Sequence, residues 1–126
     1  NGRPHLVPLP RQAVSILKDL APISAHGVYV FPSLLGEGRP MSENTVNTAL
    51  RRLGYDKDTA TAHGFRAMAR TLIVEQLNIN PEVIEAQLAH GKSGPLGAAY
   101  DRAEFMAQRR SMMQQWADYL DQLRQI

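Results

Sequence analysis

Apolar residues recur at helical spacing along five stretches of the chain, separated by prolines, glycines and small polar residues. From Arg11 to Ala21, Val14, Leu17 and Leu20 recur every third residue behind Pro10, which predicts a helix opened by a proline. From Ser42 to Leu53, Val46, Ala49, Leu50 and Leu53 share a face; Ser42 stands at an N-cap position and Gly54 at the terminating one. The other face of that helix carries Asn44, Asn47, Arg51 and Arg52. A third helix is predicted from Ala62 to Leu77, burying Phe65, Met68 or Ala69, Leu72, and Ile73 or Gln76. Asn80 caps a fourth with Pro81 first in the helix, Val83, Ile84 and Leu88 inward and His90 at its end. The run Gly91 to Pro95 then breaks the chain. The last stretch, from Ala98 to Leu123, sets Phe105, Met112, Trp116, Tyr119, Leu120 and Leu123 against a charged face, with a bend near Arg102.

Two short segments read as extended. His5 to Leu9 alternates weakly between prolines at 4, 8 and 10, so it is an edge strand or a lead-in. Val28 to Phe31 is a short apolar strand closed by Pro32, and residues 33 to 41, with Gly36, Gly38 and Pro40, form a loop. The fold expected is mostly α with a small β element (α+β), in a single domain over residues 1–126.

Composition narrows the picture only a little. With 44% hydrophobic and 21% charged residues the chain has an ordinary globular balance, and no apolar run approaches a membrane span. The absence of cysteine excludes disulfides and thiolate metal sites, and it agrees with a cytoplasmic setting. A net charge of +2 neither requires nor forbids a nucleic-acid partner, so the placement of the arginines matters more than their number. Asn1 is not an initiator, and the chain is expected to be cut from something longer.

Three local features carry possible chemistry. In His63-Gly64-Phe65-Arg66 the i, i+3 spacing puts an imidazole and a guanidinium on one side of a helix start, where free N–H groups already favour anions. That makes a plausible phosphate clamp; taken alone, it reads rather as a surface arginine beside a capping histidine. His90, in Leu88-Ala89-His90-Gly91, alone reads as a residue that satisfies the last carbonyls of its helix. Tyr100, in Ala98-Ala99-Tyr100-Asp101-Arg102, alone reads as a packing tyrosine.

Taken in order, His-x-x-Arg, then His-Gly 24 residues after Arg66, then a tyrosine ten positions further, these features resemble the signature of the tyrosine recombinases. The neighbouring runs Gly2 to Leu9, Val30 to Ser33 and Ala62 to Arg66 agree with it, and the runs Gln87 to His90, Ala98 to Glu104 and Arg109 to Leu120 are similar to prophage integrases in particular. The resemblance covers nearly the whole chain. It implies the C-terminal part of an integrase catalytic domain, the first part of that domain and the DNA-binding domains being absent. It also implies site-specific DNA recombination, in prophage integration or excision, through a 3′-phosphotyrosyl intermediate. Tyr100 would be the nucleophile and His63 the group that handles its proton, with Arg66 and His90 holding the non-bridging oxygens. A phenol with an ordinary pKa of about 10 needs such help at neutral pH. No cofactor and no metal are implied; the partner is double-stranded DNA at attachment sites.

The family pattern also includes an arginine on an upstream helix and a lysine on a β-hairpin. Neither has a match here: Lys18, Lys57 and Lys92 do not fit the motif. The chain by itself is therefore expected to be inactive or nearly so, within an active parent. Arg39, Asn44 and Lys92, with Asn47 and Arg51 behind them, are candidate DNA contacts; each also fits a solvated surface. The C-terminal helix is expected either to dock on a neighbouring protomer, giving self-association, or to pack back in cis. A missing half-sheet would leave an open strand edge, which also favours oligomers. The rival readings are a non-catalytic helical DNA-binding or dimerisation module, a type IB topoisomerase, and a metal hydrolase using His63 and His90. The last has no ligand spacing to support it.

Overall fold

The computed structural model describes residues 4–36, 38–89 and 105–125, and five helices lie within them. They are α1 (Arg11–Ser24), α2 (Thr45–Arg52), α3 (Ala62–Leu77), α4 (Pro81–Gln87) and α5 (Met106–Arg124). The chain falls into two compact units, one of residues 1–11 with 66–126 and one of residues 12–65. The two boundaries lie at the first residue of α1 and within α3.

The first unit holds the hydrophobic core. Ile73 of α3, Val83 and Ile84 of α4 and Met112 of α5 are buried together, flanked by Ala69, Val74, Leu77, Ile79, Leu88, Phe105, Met113 and Trp116. α4 forms where expected: Asn80 Oδ1 accepts the Glu82 N–H at 2.9 Å, and Pro81 occupies a position whose N–H has no helical partner. Asn78, at φ 55°, turns the chain between α3 and α4, a left-handed conformation that asparagine tolerates. An Arg70–Glu85 ion pair at 2.6 Å also links these two helices. In α5 the apolar stripe lies against α4, and Trp116 stacks on Tyr119 with ring centroids 5.8 Å apart.

In the second unit no apolar side chain is fully buried among the described residues. Leu17, Leu20 and Leu50 are half-buried, whereas Val14, Val46 and Leu53 stand largely exposed. Polar contacts order this unit instead. Arg51 donates to the carbonyls of Tyr55 and Ala60, and Gly54, at φ 97°, ends the α2 turn. Asp56 accepts from the N–H groups of Asp58 and Thr59 and from the Thr59 hydroxyl; these bonds, with the charge of Arg51, hold its carboxyl below the usual carboxylate range.

Several expectations need correction. Among the described residues no strand forms. Residues 4–10 are an extended lead-in, and the segment expected as a strand at 28–31 consists largely of bends. A single antiparallel bridge joins Pro32 to Pro40, with Ser33 N–H to Arg39 O and Met41 N–H to Phe31 O at 2.8 Å each. Proline at both bridge positions removes the donors that would extend it. α2 starts at Thr45 rather than Ser42, whose hydroxyl meets that of Thr45 at 3.1 Å instead of capping the backbone. α3 keeps its expected limits, and of the alternatives for its inward face Ala69 and Ile73, joined by Leu77, meet the core, whereas Phe65 and Met68 face outward. Two stripes one residue apart fit that sequence, and packing selects between them. The expected end of α4 at His90 and the start of α5 at Ala98, with its bend near Arg102, fall outside the described residues. α4 itself ends at Gln87, and α5 begins at Met106 behind Phe105 at φ 57°. No helix among the described residues is long and apolar enough to cross a membrane.

Candidate active site

His63 stands at the start of α3, in the unit of residues 12–65, and Arg66 and the end of α4 lie in the other unit. Thr61 Oγ1 accepts the Gly64 N–H at 2.9 Å, and Asn47 Oδ1 accepts the Ala62 N–H at 2.8 Å. Two of the four unpaired donors at that helix start are thereby satisfied by side chains. Gly64 fits because a Cβ there would come within 3.0 Å of Thr61 Oγ1. His63, in the first turn, is exposed to solvent. One turn along, Arg66 is half-buried and donates from Nη2 to the carbonyl of Leu88 at 2.5 Å. A guanidinium has five N–H donors, so this bond orients the group and leaves others for an anion.

The end of α4 is held from three sides. His5 Nε2 donates to the carbonyl of Gln87 at 2.9 Å, so two carbonyls of the last turn, Gln87 O and Leu88 O, meet side chains from other segments. Arg109, wholly buried at 0% exposure, donates from Nε to Gln87 Oε1 at 3.0 Å and from Nη2 to the carbonyl of Leu6. Its Nη1 is buried without a hydrogen-bond partner, and burial pushes the guanidinium below its ordinary pKa. Ala89 follows in the left-handed region at φ 59°, a conformation that a residue with a Cβ adopts only when its surroundings compel it. In the sequence His90 comes next.

Of the residues expected in the site, His63 and Arg66 lie on α3, while His90, Lys92 and Tyr100 fall outside the described residues. Arg39 and Asn44 are exposed. Asn47 and Arg51, read as outward candidates for DNA, have internal work: Asn47 caps α3, and Arg51 ties the loop after α2. The sequence reading missed Arg109. Its signal was nevertheless present, since Arg109 lies four residues after Phe105 and three before Met112, on the apolar stripe of α5 where a charged residue is unexpected. Among the described residues no group of three or more histidine and acidic side chains is gathered as metal ligands.

Comparison with known proteins places this geometry in context. The phage integrase family matches residues 1–105. The integrase of Enterobacteria phage P4 is 46% identical over 119 residues, covering 93% of this chain and 27% of that protein. Prophage integrase IntZ of Escherichia coli (strain K12) is 42% identical over 121 residues, 96% of this chain and 29% of that protein. The integrase of Shigella phage Sf6 is 34% identical over 119 residues, 94% of this chain and 30% of that protein. The chain thus spans less than a third of the length of these relatives. No solved structure matches it.

Proposed function

Because the chain belongs to the phage integrase family, we propose that it supplies the nucleophile and part of the phosphate clamp of a tyrosine-type site-specific recombinase. Residues 1–126 are then the C-terminal part of one catalytic domain, and the extended lead-in at residues 4–10 belongs to a sheet completed by the longer protein. The observation that carries the reading is the bond from Arg66 to the carbonyl of Leu88, which fastens a candidate phosphate ligand to the backbone two residues before His90.

In this mechanism the Tyr100 phenolic oxygen attacks the scissile phosphorus of double-stranded attachment-site DNA. The new P–O bond forms a 3′-phosphotyrosyl link as the bond to the 5′-oxygen breaks, and the leaving oxygen takes a proton from the hairpin lysine of the family pattern, which the longer protein would supply. His63 takes up the phenolic proton. Arg66 and His90 hold the non-bridging oxygens, whose charge rises in the pentacoordinate transition state; donors placed for that state are worth roughly 100- to 1000-fold in rate. The freed 5′-hydroxyl of the partner duplex then attacks the phosphotyrosine and regenerates the tyrosine. The phosphodiester energy is conserved in the covalent link, so the cycle needs no cofactor. Arg39, Asn44 and Lys92 are proposed to contact the duplex outside the scissile phosphate. Self-association of the parent would use the end of α5, where Leu123 is 44% exposed.

The decisive test is Tyr100→Phe in the full-length parent, incubated with a nicked attachment-site duplex that traps the covalent complex. Loss of the protein–DNA adduct with DNA affinity retained is the expected result. A persisting adduct would overturn the assignment, and wild-type recombination without any adduct would favour a non-catalytic DNA-binding module.

A further inference from the structure

We propose that Arg109 is a positioning residue of the recombination site, acting through the end of α4 rather than on DNA. The inference rests on the recombinase reading above. Arg109 sits on the apolar stripe of α5, between Phe105 and Met112, where leucine or methionine would cost no desolvation. Its guanidinium is fully buried, and among the described residues its hydrogen bonds go to neutral acceptors, Gln87 Oε1 and Leu6 O. Nη1 has no partner. Replacing buried charge with apolar residues of similar volume is often neutral or stabilising, so stability is a poor explanation for an arginine at this position.

Geometry is a better one. Arg109 joins three segments, namely the lead-in at Leu6, the last turn of α4 at Gln87, and α5 itself. Gln87 is also held through its carbonyl by His5, and the adjoining Leu88 carbonyl by Arg66. These ties fix the peptides that lead into Ala89, whose φ of 59° persists only if its surroundings over-determine it. Arg109 therefore sets the ground on which Arg66 is oriented. Its effect on Arg66 passes through Gln87 and Leu88. Misplacing a catalytic group by about 1 Å costs on the order of 100-fold in rate, so such a residue is visible in kinetics.

The test uses the full-length parent and a nicked attachment-site duplex, reading the single-turnover cleavage rate, DNA affinity and melting temperature. Arg109→Met and Gln87→Leu are each expected to slow cleavage by about 10- to 100-fold while DNA affinity changes less than about threefold. Gln87→Glu, which restores an acceptor for Arg109 Nε, is expected to recover most of the rate. A second readout separates positioning from general weakening. In an Arg66→Lys background the Arg109→Met loss should shrink, because both act on one element, whereas a smaller folded fraction would multiply through unchanged. If Arg109→Met folds poorly, the pair Gln87→Leu and Gln87→Glu decides alone. Wild-type rates, losses that track the melting temperature, or no recovery with Gln87→Glu overturn the proposal. Tyr100→Phe run alongside distinguishes the two failures. An adduct that survives Tyr100→Phe sinks the recombinase reading, whereas one that vanishes while Arg109 and Gln87 variants cleave normally sinks only this inference.

Discussion

Ala89 is the residue whose backbone is hardest to explain from its own chemistry. At φ 59° its Cβ crowds the neighbouring carbonyl, at a cost of roughly 1–2 kcal/mol for an L-residue. Glycine removes that clash but loses more conformational freedom on folding. Ala89→Gly is therefore expected to raise unfolding stability by about 0.5–1 kcal/mol in urea titration. A loss of stability would show that the left-handed geometry at Ala89 is not under strain. Arg66 and Arg109 set a related contrast, since both end on the last turn of α4. One is half-buried with donors to spare, and the other is enclosed and short of a partner. The first arrangement suits a group that will meet an anion, and the second suits a group that holds its neighbours in place.

Among the elements, the two helices that carry the candidate site are capped in different ways. α4 starts with a local cap, Asn80 to the Glu82 N–H, visible in the sequence as Asn-Pro ahead of an apolar pattern. Asn80→Ala should cost about 1 kcal/mol of stability, measured by denaturant titration at constant m-value; no change would mean that packing alone defines the helix start. α3 starts with one local bond, from Thr61, and one from Asn47, fifteen residues upstream. The second was not legible beforehand, because nothing in the α2 pattern separates a capping asparagine from a solvent-facing one. The inward face of α3 was legible only in part: the pattern left Met68 or Ala69 and Ile73 or Gln76 open, and packing against α4 and α5 selects Ala69 and Ile73 and leaves Phe65 outward.

At the scale of the whole molecule, the described residues bury few large apolar side chains, and those that are buried lie in the unit of residues 1–11 and 66–126. Leu34 and Leu35 in the other unit are almost entirely exposed, which fits a chain that spans less than a third of its relatives. Within residues 1–126 no lysine or upstream arginine matches the family pattern. Losing one clamp donor costs roughly 100- to 1000-fold, and losing the lysine expected to protonate the leaving 5′-oxygen about 100- to 10,000-fold. The 126-residue chain alone is therefore expected to cleave a nicked attachment-site duplex at least about 1000-fold more slowly than the full-length parent. Single-turnover cleavage by the isolated chain at the parent's rate would contradict this.

The sequence by itself determined the helical order, the limits of α3, the Asn80 cap, the inward Val83 and Ile84, and the family, because each rests on local spacing or on an ordered motif. Only the tertiary structure decided that the segment at 28–31 makes no strand and that Asn47 and Arg51 turn inward. It also decided that an arginine fills a core position of α5. Strand pairing needs a neighbour, and a buried guanidinium needs acceptors that arrive from distant segments. Leu6 and Gln87 are separated from Arg109 by 103 and 22 residues, and no local pattern encodes that meeting.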